Sequence, residues 1–501
     1  MALKHKSGFV FTLLTLILFI LMLAEIVTYA YLNLNYNSMI EMQSGSSLVP
    51  QLLQSISASM NAFIKNALPN AVNSYVPPHT LLDYPLNNTA ARQISLIISS
   101  NLGSFTSYLS NEAKAEGATL NFKNQTIMVF QSSPFFINAT YSAVLILNSS
   151  YGSYVYPVSA STSMALPLAF LNITINNGQS TPTPAPFQQS ITFNPSSYSA
   201  YESGNLGNIR FYYGNNELYS WCESGCTNTS SSATFWINLP QGVPASSAIN
   251  ITMAFYRIGI NYSSYSGKPI ALDHAGEAPQ LSSTYGKFDN GAEVFNFYDN
   301  FAGTSLPASF LSSYSSGYSI NNGLSISAGS VYTSSPIFYS ENSIEEMYAK
   351  YTALNNGNYA GIMQSNTNAP QGSNTGSAAE ILWMTNSGSN VLYAWAANGA
   401  SPSYNLQAGI SSGFTPSLNT FYIIGDFVGS SSVGEQINYA NMLKASGTYN
   451  TYQYIILGYF TGASASSTSI NPMYIQWVRV RAYPPNGVMP TASMGRLNLV
   501  G

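Results

Sequence analysis

Trp383, Tyr393 and Trp395 are the side chains of this 501-residue chain best placed to do chemistry, because flat aromatic faces stack on sugar rings. The segment Asn386-Ser387-Gly388-Ser389-Asn390 reads as the turn of a hairpin over 378–397. That hairpin is expected to set Ile381 and Trp383 opposite Val391, Tyr393 and Trp395, with Asn398 and Tyr404 near enough to bond hydroxyls. The same aromatics would serve as core residues, and both readings stand at this point. Cleavage of a glycosidic bond needs an acid and a second carboxylate flanking it, which a Glu-x-Asp-x-Glu strand supplies; the sequence has no such run. Glu341, Glu345 and Glu346 read as a solvated turn entering a strand, and Glu380 stands alone on its own. A nucleophile elbow, a phosphate loop and a zinc-type cysteine set are all missing, and His5, His79 and His274 are scattered. The sequence therefore predicts no catalysis and no cofactor. Calcium is the one metal with candidate ligands, Asp289 and Asp299, each equally a turn residue.

Cys222 and Cys226, with Gly225 between them, can close a small loop disulfide, a bond suited to an extracytoplasmic setting. Asn-x-Ser/Thr acceptors fall at Asn87, Asn124, Asn138, Asn148, Asn172, Asn228, Asn250 and Asn261, with none later in the chain.

The elements that would position these residues follow from composition and pattern. Only 7% of residues are charged against an apolar fraction of 46%, so the chain can fold but takes its polarity from Ser, Thr, Asn, Gln and 37 Tyr. A net charge of −4 without a basic patch excludes nucleic acid as a partner. With little to titrate, such a surface suits an acidic exterior, and it equally suits a generic secreted β-protein.

The apolar run from Phe9 to Ala24 follows Lys4 and Lys6 and, extended to Leu32, is long enough to span a bilayer. It reads as a retained membrane anchor, or alternatively as a secretory signal cleaved after Ala30; either way the bulk of the chain lies outside the cytoplasm. Residues 1–36 form this segment, and 37–176 a membrane-proximal α+β domain. In it Val49 to Ile64 and Ile94 to Leu109 show helical spacing, with Pro69 as a stop, before a set of short strands. Residues 177–189, rich in Pro and Thr, read as a linker. A small β domain is expected over 190–270, a connector over 271–291, a β-sandwich over 292–490 and a tail over 491–501.

Family resemblance enters through Asn208-Ile209-Arg210-Phe211, LYSWCE from Leu218, TFWINLP from Thr234 and INITMAFY from Ile249. These resemble the uncharacterised β domain of archaeal and bacterial cell-surface proteins known as domain of unknown function 2341. The chain departs from that pattern in a weak opening strand and in FYRIGIN at 255–261. Next, FNFYDNFAG from Phe295 and YIQWVRVRAYPPNGVMP from Tyr474 resemble the concanavalin A-like, laminin-G-like jelly roll that usually follows that domain. The resemblance implies a mainly β fold whose ends pair, and a sandwich class rich in sugar binders. Trp477, Val478 and Val480 alternating with Arg479 and Arg481 read as a strand with one buried face. The functional expectation is a membrane-anchored surface protein whose distal sandwich recognises glycans or envelope proteins; the alternative is a structural envelope protein with no soluble ligand.

Overall fold

The computed structural model describes residues 41–76, 82, 84–115, 118–149, 152–262, 274–337, 342–355, 358–365, 367–369, 378–386, 389–397, 416–429, 432–446, 454–459 and 462–499. The apolar run Phe9–Ala24 lies outside these residues; among the described ones no helix is long and apolar enough to cross a membrane. The chain divides into two compact units, residues 1–166 and 167–501.

In the first unit, helices Glu41–Tyr75 and Asn88–Ala115 cover one face of an antiparallel sheet made of Thr119–Ser133, Phe136–Ser149 and Gly152–Ala165. Ile56, Met60, Ile64, Leu68 and Val72 recur at helical spacing and are buried against Ile94, Ile98, Leu102, Ile137 and Leu145. Asn87 caps the second helix, its Oδ1 accepting from the Ala90 N–H at 2.8 Å. Pro69 does not end the first helix as its missing N–H suggested. Burial of Leu68, Ala71 and Val72 on either side carries the helix on to Tyr75.

The second unit is four β-layers deep. Its first sandwich has an outer sheet ordered Thr491–Met494, Ala169–Asn177, Ser247–Phe255, Ile209–Tyr213, Asn216–Leu218. The facing sheet is ordered Ala275–Glu277, Ser220–Ser224, Ala233–Leu239, Phe187–Phe193. Leu171, Ile173, Phe187, Phe211, Phe235 and Ile237 fill the space between them. The second sandwich opposes two larger sheets. One is ordered Tyr318–Ile320, Leu324–Ala328, Ser469–Ala482, Ser343–Tyr351, Tyr422–Val428, Ser432–Ile437, Ala440–Ser446, with Phe297–Asp299 also on Ser469–Ala482. The other is ordered Phe310–Ser312, Ser330–Thr333, Tyr454–Gly458, Tyr359–Ser365, Ala378–Asn386, Ser389–Ala397. Val331, Met347, Ile362, Ile424, Leu457 and Val478 form that core.

Three expected boundaries move. Ala169–Asn177 belongs to the second unit, because it pairs along its whole length with Ser247–Phe255. The stretch 177–189 is no free spacer: Asn177 Nδ2 donates to the Thr181 and Pro244 carbonyls at 2.9 and 3.1 Å, and Phe187–Phe193 is a sheet strand. The tail 491–501 returns to the start of the unit, where Thr491–Met494 pairs with Ala169–Asn177. Pairing across more than 300 residues leaves no local trace in the sequence.

Cys222 and Cys226 are joined by a disulfide at the end of strand Ser220–Ser224. Gly225 between them has φ +66°, and a Cβ there would lie 1.9 Å from the Ser232 carbonyl oxygen. Gly225→Ala combines a left-handed backbone with a clash against main chain, and should cost about 2 kcal/mol or more. Urea unfolding of the variant beside the parent measures this; unchanged midpoints would contradict the loop geometry.

Candidate functional site

Three places in the second unit gather the residues that carry charge or flat aromatic surface. The first lies between the two sandwiches. A bulge between Tyr348 and Ala349 in the pairing with Ser469–Ala482 shifts alternation, so Ile475, Val478 and Val480 face the second core while Trp477 joins another cluster. Arg479 and Arg481 share that outer face and are buried, 0% and 3% exposed, beneath the first sandwich. The face expected to be solvated is therefore covered by a further β-layer.

Around the Arg479 guanidinium stand the rings of Trp477, Phe295 and Trp236, with centroids 4.5, 4.6 and 4.7 Å away, and Trp221 at 5.5 Å. Glu346 accepts from Arg479 Nε at 2.7 Å, and Glu223 lies 2.8 Å from Nη1. Arg481 Nη2 donates to the other Glu346 oxygen at 2.8 Å. Glu223 also accepts from Trp236 Nε1 at 2.8 Å and from the Tyr439 hydroxyl, which in turn accepts from Arg479. Burial opposes the Arg479 charge, but Glu346, Tyr439 and Glu223 outweigh it and raise its pKa. Burial likewise works against the Glu346 carboxylate, yet Arg479 and Arg481 hold it below its usual range.

A second group lies on the opposite face of the same sheet, inside the second core. Glu345, Asp426 and Glu435 sit directly opposite one another on three neighbouring strands, each at most 1% exposed. Gln364 reaches them from the facing sheet; its backbone N–H and its Nε2 each donate to Asp426 at 3.1 Å. Burial pushes Asp426 up to about 8 against these bonds. Burial and then the Asp426 charge hold Glu345 and Glu435 well above the carboxylate range. Burial thus favours the protonated form of all three. The solvated turn expected at Glu345 and Glu346 is thus a buried strand position on both of its faces; Glu341 lies outside the described residues. Asp426 and Glu435 were missed, although a lone acid inside Tyr422–Val428, in a chain this poor in charge, was a readable signal.

The aromatic hairpin forms from Ala378–Asn386 and Ser389–Ala397. Its register sets Trp383 opposite Leu392, Tyr393 opposite Leu382, and Trp395 opposite Glu380. The adjacent strand pairs Trp383 with Ala360 and Ile381 with Ile362, both core positions, but pairs Glu380 with Met363. Met363 belongs to a separate small cluster with Tyr332 and Ile456. Strand alternation therefore gives Trp383 the core parity, and gives Glu380, Tyr393 and Trp395 the other. Ile381 and Trp383, expected opposite Val391, Tyr393 and Trp395, are offset from them by one residue and pair with Ala394 and Leu392. Asn398 and Tyr404 lie outside the described residues.

Asp289 and Asp299 act inside the fold. Asp289 accepts from Trp221 Nε1, the Tyr298 hydroxyl, Asn300 Nδ2 and the Gly291 N–H, at 2.6–3.0 Å. Asp299 accepts from the Phe301 N–H at 2.8 Å, and burial lifts it to about 6. Among the described residues no group of three His, Cys, Asp or Glu is arranged to hold a metal. Of the glycosylation acceptors, Asn172 and Asn250 lie exposed on adjacent outer-sheet strands, their side chains bonded to Thr252 and Thr174. Asn87 is committed to its helix cap.

No family model matches this chain. It is 40% identical over 138 residues to the uncharacterized protein 562 of Sulfolobus islandicus rod-shaped virus 1, a segment covering 27% of this chain and 22% of that protein. Among solved structures it is similar to a Thermotoga petrophila endo-1,3-beta-glucanase (laminarinase) catalytic domain, at 15% identity and TM-score 0.29, over 37% of this chain and 96% of that one. A Bacillus licheniformis beta-glucanase aligns at 11% and 0.27, over 37% and 97%. A Mycobacterium tuberculosis antigen described as a pseudo beta-1,3-glucanase aligns at 14% and 0.28, over 38% and 98%. The expectation of no catalysis is corrected beside these glycoside hydrolases. The reading of Glu345 and Glu346 as a solvated turn is corrected too, since both are buried strand residues.

Two outcomes follow from the buried charges. Arg479→Met leaves the Glu223 carboxylate buried without its cation and should cost about 3 kcal/mol or more in chemical unfolding. With pKa values raised by folding, these three acids hold protons to higher pH in the folded state than in the unfolded chain. Their contribution is complete below about pH 4 and is lost as pH climbs, for Asp426 through about 8. Glu346, held low, runs the other way and loses its contribution in acid. Urea midpoints measured from about pH 3 to 9 should decline between 4 and 8. Asp426→Asn should make that decline shallower; an identical slope in parent and variant would refute the assignment.

Proposed function

We propose that the second sandwich recognises glycans or a glycan-bearing envelope surface, on the non-core parity of its aromatic hairpin. The register carries this reading: it separates Tyr393 and Trp395 from the core positions and puts Glu380 beside them. Fold likeness to sugar-cleaving enzymes is analogy and adds nothing by itself. We further propose that the apolar run Phe9–Ala24 anchors the chain in a membrane with its bulk outside, a setting that supports the disulfide.

A glycan array probed with the full chain tests the reading, together with a reducing-end assay on every glycan retained. Trp395→Ala and Tyr393→Ala should lower retention about tenfold or more with unfolding midpoints unchanged, whereas Trp383→Ala should lower the midpoint. Release of reducing ends that disappears in Glu380→Gln would make the site hydrolytic. If no glycan is retained, or if Trp395→Ala and Trp383→Ala destabilise alike, the structural envelope role replaces this one.

A further inference from the structure

The segment after strand Ala169–Asn177 and the return of the chain at 483–486 line, with Asn342, Ser432 and Lys444, a half-open cavity of about 350 Å³. Its volume falls in the range of small-ligand sites. Pro182, Pro184, Pro484 and Pro485 supply rigid C–H walls, and no carboxylate stands among the described lining residues. Lys444 is the cation there, in a chain that has few.

The walls are fixed without a ligand. Asn486 Nδ2 donates to Gln179 Oε1 at 3.0 Å, and the Tyr483 N–H donates to the Asn342 carbonyl at 3.0 Å. The Tyr483 ring stacks on Phe427 at 5.2 Å. Gly487, at φ +74°, lies so near the Tyr483 hydroxyl that a Cβ would come within 2.4 Å of it. A cavity whose groups are already in place loses little entropy on binding. Asn342 Oδ1 is buried in the cavity wall without a hydrogen-bond partner, so a ligand hydroxyl reaches it only when that side chain turns toward the cavity.

We propose that this cavity binds a carboxylated sugar residue of the uronic acid type. Such a ligand satisfies each feature at once. Its carboxylate meets the Lys444 ammonium, a hydroxyl donates to Asn342 Oδ1, and its C–H face lies on the prolines. A neutral sugar leaves Lys444 unused, and an amino sugar is repelled by it.

Isothermal titration of the full chain with methyl glucuronide, methyl glucoside and sodium acetate tests this at low salt. The glucuronide should bind saturably, at least tenfold tighter than either of the others. Lys444→Met should remove that preference and Asn342→Leu should weaken binding at least tenfold, each checked for an unchanged melting temperature. Trp395→Ala should leave glucuronide binding intact, which separates this cavity from the hairpin. No saturable binding overturns the proposal, as does equal binding of glucuronide and glucoside. Acetate competing as well as glucuronide reduces the site to a simple anion contact and overturns the sugar.

Discussion

A guanidinium taken out of water costs several kcal/mol unless charge and hydrogen bonds meet it, and that demand at Arg479 organises the second unit. Glu346 comes from the neighbouring strand of its own sheet; Glu223 comes from the other sandwich. Trp221 and Trp236 belong to that other sandwich too, whereas Trp477 comes from the strand that bears Arg479. Neither sandwich could bury its half of this cluster alone without leaving a charge unpaired. The ion cluster and its aromatic cage thus tie the two sandwiches together, beside the bonds of Gln188 to the Ala482 N–H and to Asn296. Asp289 supports the cage from the side by fixing Trp221 and Tyr298.

Charge in this chain is scarce, and much of it is spent inside. Strand Ser343–Tyr351 shows both ways in which a buried carboxylate is tolerated. Glu346 faces two arginines that favour its ionised form, while Glu345, one residue earlier, lies beside two further acids and is pushed toward its protonated form. Alternation along a β-strand sends adjacent residues to environments of opposite electrostatic character. The two groups consequently answer to pH in opposite senses.

Much of the architecture was legible locally. The helical stripes of the first unit, its β-meander, the strand-rich remainder and the hairpin at 378–397 all follow from short-range periodicity and turn residues. The spacing of Cys222 and Cys226 also suggested the bond that joins them. Strand parity within the hairpin was not legible. Opposing partners depend on where the turn falls, and a shift of one residue exchanges the faces. The linker and tail were misread because Pro-rich or short segments look free until their long-range partners are known.

Sequence by itself determined the β class, the two amphipathic helices and the hairpin at 378–397. Tertiary structure alone decided that Arg479 and Arg481 are buried, that three acids from separate strands meet in one row, and that prolines from both ends of the second unit line one cavity. The physical reason is the range of the interactions. Periodicity and turn chemistry act over a few residues and are written locally. Desolvation, ion pairing and strand pairing act between residues up to some 300 positions apart, as between Gln189 and the Pro490 carbonyl, and exist only once the layers have closed.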